Sequence, residues 1–194
     1  MRWLLAFLLF LPFPLFAQGQ LIYTDPFMNA GSTPEGWTLT GNWVINGDEE
    51  LEAGGSRNAV ALAAPVFPGC NVCRLETTIE APDGRAAFLA WYSDAGNYVE
   101  LSVKRDATRG DNIWRLRQIS NGVVLAHARG RQAPLNPDAE VRIVFDGLRF
   151  TVQIDERDPI ITMDKAPGLS AYGTAGYQVK RGIARFKFLN IYSS

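Results

Sequence analysis

From Val72 to Tyr192 the chain alternates apolar and polar residues in strand-length runs separated by Gly, Asn, Asp and Pro. Period-two alternation turns one side of each run toward a core and the other toward water, so the pattern predicts strands. Cys73, Leu75, Thr77 and Ile79 share one face of the first run, against Arg74, Glu76, Thr78 and Glu80. Val99, Leu101 and Val103 oppose Tyr98, Glu100, Ser102 and Lys104. Trp114 and Leu116 oppose Arg115 and Arg117, while Val124, Ala126 and Ala128 oppose Leu125, His127 and Arg129. The run from Ala86 to Ser93 is apolar on both faces, as a central strand covered on two sides would be.

Turn chemistry marks the joints between these runs. Asn121-Gly122 is a strong two-residue hairpin signal and Asp146-Gly147 is another. Gly47-Asp48 separates Trp43-Val44-Ile45-Asn46 from the short segment Glu50-Leu51-Glu52-Ala53. Val141, Ile143 and Phe145 are answered by Phe150, Val152 and Ile154. With Ile160 to Met163, Tyr177 to Val179 and Ile183 to Tyr192, about a dozen strands recur at the spacing of a sandwich or barrel. The expected fold is all-β, a two-sheet antiparallel β-sandwich.

The N-terminal residues bear on compartment. Arg2 precedes an uncharged apolar stretch, Trp3 to Phe16, and then Ala17-Gln18-Gly19-Gln20, the pattern of a secretory signal peptide. Pro12, Pro14, Gln18 and Gln20 interrupt the roughly 20 apolar residues that a bilayer span needs. The expected organisation is a signal peptide over 1–19 and one domain over 20–194. The product would be secreted or periplasmic, with no membrane insertion after cleavage. That domain has 194 − 19 = 175 residues, enough to bury roughly 70% of its unfolded surface.

Charge adds an exclusion. The chain carries 19 basic and 20 acidic residues, and loss of Arg2 leaves 18 against 20, a net charge of −2. A near-neutral chain with interspersed charges shows no electrostatic footprint for nucleic acid. Cys70 and Cys73 stand as Cys-Asn-Val-Cys at the entrance to a strand. In an exported protein that spacing predicts one small-loop disulfide of modest stabilising effect. Haem attachment would require His after the second cysteine, where Arg74 stands. A structural zinc site would require four ligands, and only His127 is available to join the two cysteines.

Catalytic constellations are sparse. His127 is the sole histidine, so a Ser-His-Asp site would depend on it alone. No Gly-x-Ser-x-Gly elbow and no phosphate-cradling glycine loop occurs. Glu50 and Glu52 would project from one face of a short strand, but charges on a solvated edge strand account for them.

Asp25-Pro26-Phe27, Gly36-Trp37, Gly41-Asn42-Trp43-Val44 and Gly47 together resemble the opening of concanavalin A-like lectin/glucanase domains, in particular their laminin G-like branch. Trp91-Tyr92-Ser93-Asp94 followed by Asn97-Tyr98 is similar to paired strands of that family. Gly173-Thr174-Ala175-Gly176-Tyr177 and Phe188-Leu189-Asn190-Ile191 resemble its closing strands. The resemblance implies a jelly-roll sandwich that uses its concave sheet for binding. Two departures limit what it carries over. Leu189 stands where the closing motif often has Asp, which removes a carboxylate from any structural calcium site of that kind. The Glu-x-Asp-x-x-Glu catalytic strand of the glucanase branch is absent. No cofactor is expected.

The alternations place Tyr98, Glu100, Arg115, Arg117 and His127 on the face opposite the core, joined by Trp91 or Tyr92 according to which side of the central strand each occupies. Aromatic rings beside Arg and Glu suit sugars, whose apolar C–H faces stack on rings while hydroxyls bond to charged groups. The expected function is an exported, non-catalytic module recognising carbohydrate or cell-surface glycan on one sheet face. The alternatives are a glycoside hydrolase or lyase of the same fold and a structural domain with a protein partner.

Overall fold

The computed structural model describes residues 19–54, 58–64, 72–82, 84–106, 108–132, 138–155, 157–170 and 172–193. The signal peptide expected over 1–19 and the Cys70–Cys73 link therefore fall wholly or partly outside the described residues. In chain order the strands begin with β1 (Gln20–Asp25), β2 (Thr38–Thr40), β3 (Trp43–Ile45), β4 (Leu51–Ala53) and β5 (Ala59–Leu62). There follow β6 (Cys73–Thr78), β7 (Arg85–Asp94), β8 (Asn97–Arg105), β9 (Asn112–Ser120) and β10 (Val123–Gln132). The last six are β11 (Glu140–Phe145), β12 (Arg149–Ile154), β13 (Ile161–Asp164), β14 (Thr174–Arg181), β15 (Ala184–Phe186) and β16 (Leu189–Ser193).

Among the described residues these strands form two large antiparallel sheets and a small one. The first has six strands in the order β1-β16-β6-β11-β12-β13; the second has seven, β10-β9-β8-β7-β14-β5-β2. The small sheet is β15-β4-β3. Leu75, Ile143, Phe145 and Val152 of the six-stranded sheet share a buried core with Phe88, Leu101, Leu116 and Tyr177 of the seven-stranded one. Tyr177 ties the layers together. Its ring stacks on Phe186 at 4.0 Å between centroids, and its hydroxyl donates to the Phe188 carbonyl at 2.8 Å. The same hydroxyl lies 2.9 Å from Thr77 Oγ1 on the opposite sheet. A buried tyrosine needs such partners for its polar tip, and here they also set the distance between layers.

Three features differ from the sequence pattern. Ile183 to Tyr192 is two strands rather than one, because β15 joins the small sheet and β16 the six-stranded sheet. The short strands β1, β2 and β5 precede the alternating run that begins at Val72 and are additional to the pattern; β5 is apolar at every position. The segment holding Glu50 and Glu52 is not a solvated edge: β4 is the central strand of the small sheet, and Glu50 is buried. Glu52 pairs with Arg185 at 2.7 Å, and the same guanidinium reaches Glu80 at 3.0 Å. These acids are structural partners of one arginine.

Candidate functional site

Strands β7 to β10 form a continuous antiparallel meander that makes up more than half of the seven-stranded sheet. Pairing register brings side chains of its outer face into rows. Glu100 lies opposite Arg117, and Arg117 opposite His127. One row along, Ser102 lies opposite Arg115, and Arg115 opposite Arg129. Arg85 sits between Lys104 of β8 and Arg181 of β14. The inner sides of the same strands hold Val99, Leu101, Val103, Trp114 and Leu116, all in the core. The alternation is therefore the direct cause of the polar outer face.

Glu100 is the electrostatic centre of this face and is fully buried. Arg117 Nη2 donates to both of its oxygens, at 2.7 and 2.8 Å, and Lys180 Nζ donates to Oε2 at 2.6 Å. Burial alone would push the carboxyl up, but Lys180 and Arg117 outweigh it and hold Glu100 below the usual glutamate range. Lys180 itself is drawn down by burial and by the neighbouring Arg117 and Arg85, against the attraction of Glu100. Arg115 is lowered by burial and by crowding from Arg129, Arg85 and Arg117. The cations here outnumber what Glu100 can neutralise.

Beside this network lies an aromatic pair. The Tyr92 and Tyr98 rings are 5.6 Å apart at 33°, both half-buried. Burial raises both phenols, with Asp94 adding to the effect at Tyr92 and Glu100 at Tyr98. The reason Tyr92 is outside and Trp91 inside is a bulge. Pairing between β7 and β8 shifts between Ala90 and Asp94, and Trp91 has φ +49°. Ala90 and Trp91 thus both turn inward, and Trp91 packs edge-on against Phe145 and Phe150 at 5.6 and 5.2 Å. Gly173 lets β14 come close at this point, since a Cβ there would lie 2.3 Å from the Tyr92 carbonyl oxygen.

The hairpin loops at this end are locked to one another. Asp94 accepts from the Gly96 amide at 2.7 Å and from Asn97 Nδ2 at 2.9 Å. Asn97 Oδ1 accepts from Ser120 Oγ at 3.1 Å and from the Asn121 amide at 3.0 Å. Asn121 and Gly122 both take positive φ, 51° and 75°, the geometry their turn type requires.

Of the residues singled out from sequence, the structure gathers Tyr92, Tyr98, Glu100, Arg115, Arg117 and His127 on one face and puts Trp91 in the core. Sequence reasoning left out Arg85, Arg129, Lys104 and Lys180. Arg129 and Lys104 share the alternation of His127 and Glu100 and were there to be taken. Arg85 abuts a run apolar on both sides, and Lys180 reaches Glu100 from eighty residues away through a second bulge. Among the described residues no cluster of three or more His, Cys, Asp or Glu side chains gathers as a metal would need.

Neither a family model nor a curated protein matches the sequence. Solved structures match it over most of its length. The carbohydrate-binding module CBM66 from Bacillus subtilis aligns with a TM-score of 0.58 and 20% identity, covering 87% of this chain and 100% of that one. An immunostimulatory antigen and pseudo β-1,3-glucanase of Mycobacterium tuberculosis gives 0.63 and 14%, covering 91% and 100%. A Bacillus subtilis protein of unknown function with a galectin-like fold gives 0.65 and 16%, covering 90% and 96%. At these identities the likeness is one of fold.

Proposed function

We propose that this chain, whose fold is the concanavalin A-like lectin/glucanase jelly roll, is an exported, non-catalytic module that binds carbohydrate on the outer face of its seven-stranded sheet. The observation that carries the reading is the Tyr92–Tyr98 pair flanked by Arg117, Arg115 and His127 on one surface. Paired rings offer a platform for the C–H face of a pyranose, and guanidinium and imidazole groups supply donors for its hydroxyls. The fold likeness to a carbohydrate-binding module supports the substrate class.

The state of Glu100 supports the non-catalytic part of the reading. Glycoside hydrolysis ordinarily needs two carboxyl groups, one with a raised pKa to act as acid. Glu100 is held down rather than up, and both its oxygens are engaged by Arg117 and Lys180. Asp94, at the rim, is committed to its hairpin.

A polysaccharide panel run by affinity electrophoresis tests the proposal. Binding to at least one glycan is expected, weakened about tenfold or more by Tyr92→Ala with Tyr98→Ala, the scale of one or two lost stacking contacts. Silence across the panel would overturn it. Export carries its own check: protein recovered from the cell exterior or periplasm is expected to show a Cys70–Cys73 link by non-reducing mass spectrometry. Two alkylatable thiols would refute that link.

A further inference from the structure

Resting on the carbohydrate reading above, we propose that the ligand is an acidic polysaccharide, whose carboxylate or sulfate groups are held by Arg115, Arg129 and Arg85. The chain as a whole is close to neutral, at −1. Folding sorts that charge. Across β14, β7 and β8 the residues directly paired are Arg181, Arg85 and Lys104, three cations in a row. In the neighbouring row Arg115 and Arg129 are directly paired as well. Like charges facing each other on one sheet face oppose folding, so this register is costly in the free protein.

Relief has to come from an anion, and the face offers little. Neither row holds a carboxylate in its register; Glu100, in the adjoining row, is already held by Arg117 and Lys180, and Asp106 just beyond β8 by Arg131. Among the described residues Arg85, Arg115 and Arg129 have no carboxylate partner, and the Nε–H groups of Arg85 and Arg115 are shielded with no hydrogen-bond acceptor. Guanidinium forks match carboxylate and sulfate oxygens, and a ligand that repeats its charge along a chain of sugars would meet successive arginines. Tyr92 and Tyr98, at 5.6 Å and 33°, offer ring faces on which a sugar or a base could stack; the fold likeness to a carbohydrate-binding module favours the sugar chain, and single-stranded DNA enters the test as the competing ligand.

The experiment is affinity electrophoresis and calorimetry of the purified protein with polygalacturonate, dextran sulfate, a neutral β-glucan and single-stranded DNA, at low and at physiological ionic strength. Folded variants are confirmed by circular dichroism. Binding to an acidic glycan is expected, falling steeply with salt and about tenfold or more in Arg115→Gln with Arg129→Gln. Arg74→Gln, on the other large sheet, is expected to bind as the parent does. Preference for polygalacturonate assigns the carboxylate and preference for dextran sulfate the sulfate. Salt-independent binding of the neutral glucan alone, unaffected by the double change, would overturn the acidic class and leave the carbohydrate reading standing. Loss of binding to every polysaccharide would overturn both, and DNA bound more tightly than any glycan would overturn the proposal in favour of a nucleic-acid surface.

Discussion

Each large sheet buries one glutamate on its outer face with two cations against it, yet the two carboxyls are pushed in opposite directions. On the six-stranded sheet Glu76 lies 2.7 Å from Arg74 and 3.1 Å from Arg142. Burial first, and then repulsion from the nearby Glu140, nevertheless raise it against the pull of both arginines. On the seven-stranded sheet no second carboxylate competes, and Glu100 is lowered despite deeper burial. The number of partners is the same; the surrounding field differs. One face is balanced and self-contained, with Arg74 further stacked on Tyr192 at 4.0 Å. The other carries cations that its own acids cannot neutralise.

The contrast breaks most visibly in stability. Glu100→Gln is expected to cost about 2–4 kcal/mol in denaturant unfolding, since it leaves Arg117 and Lys180 facing each other without a charge between them. Glu76→Gln is expected to be near neutral, within about 1 kcal/mol of the parent, because burial and Glu140 already disfavour its charge and Glu140 remains to receive Arg142. Equal losses would show that the two faces do not differ in kind.

pH sharpens the same point. Glu100 has a folded value below the ordinary 4.5, so its charge contributes stability above that pH, and the contribution is lost as pH falls through the lower folded value. Glu76 is displaced upward, so its charge penalises the fold as pH rises from 4.5 through the raised value. The advantage of the parent over Glu100→Gln should therefore shrink on acidification below 4.5, while its standing against Glu76→Gln should improve as pH falls toward 4.5. Parallel pH profiles for the two variants would contradict the opposite shifts.

The smallest effect has the most informative sign. Arg115→Gln removes one member of a directly opposed cation pair and is expected to stabilise the free protein by about 0.2–1 kcal/mol. Arg142→Gln, on the balanced face, is expected to destabilise it by a similar amount. A stability gain at Arg115 combined with weaker binding is the signature of a residue retained for its ligand.

Much of this was legible in the chain. Val99, Leu101, Val103, Trp114 and Leu116 alternate so regularly that their outward neighbours Tyr98, Glu100, Arg115 and Arg117 could be placed on one face. What alternation cannot show is where it is interrupted. The bulge at Trp91 exchanges the sides of two adjacent aromatics, and a sequence that is apolar on both sides carries no mark of it. The charge imbalance was hidden for a different reason. Net charge averages over the whole chain, whereas pairing between β7, β8, β9 and β14 concentrates arginines from distant positions. Ile183 to Tyr192 misled because Ala184 and Phe186 in the small sheet and Leu189 and Ile191 in the six-stranded sheet are all buried, so the crossing between them leaves little mark in the apolar pattern.

The interlock at Asn97 has a consequence for the order in which the molecule assembles. Strands β7 to β10 are joined by short turns, so their contacts close small loops at little entropic cost. Asn97, bonded to the second hairpin while belonging to the first, fixes the register of all four at one end. Strand β14 must arrive from far along the chain, and it pairs with β5 across more than a hundred residues, as the bond from Thr174 to Ala63 illustrates. Pulse-labelled hydrogen exchange should show amides of β8 and β9 protected before those of β14; the reverse order would refute this sequence of events. On that schedule Glu100 meets Arg117 early and waits for Lys180, so the arginine rows exist as a nascent surface before the sheet that carries them is complete.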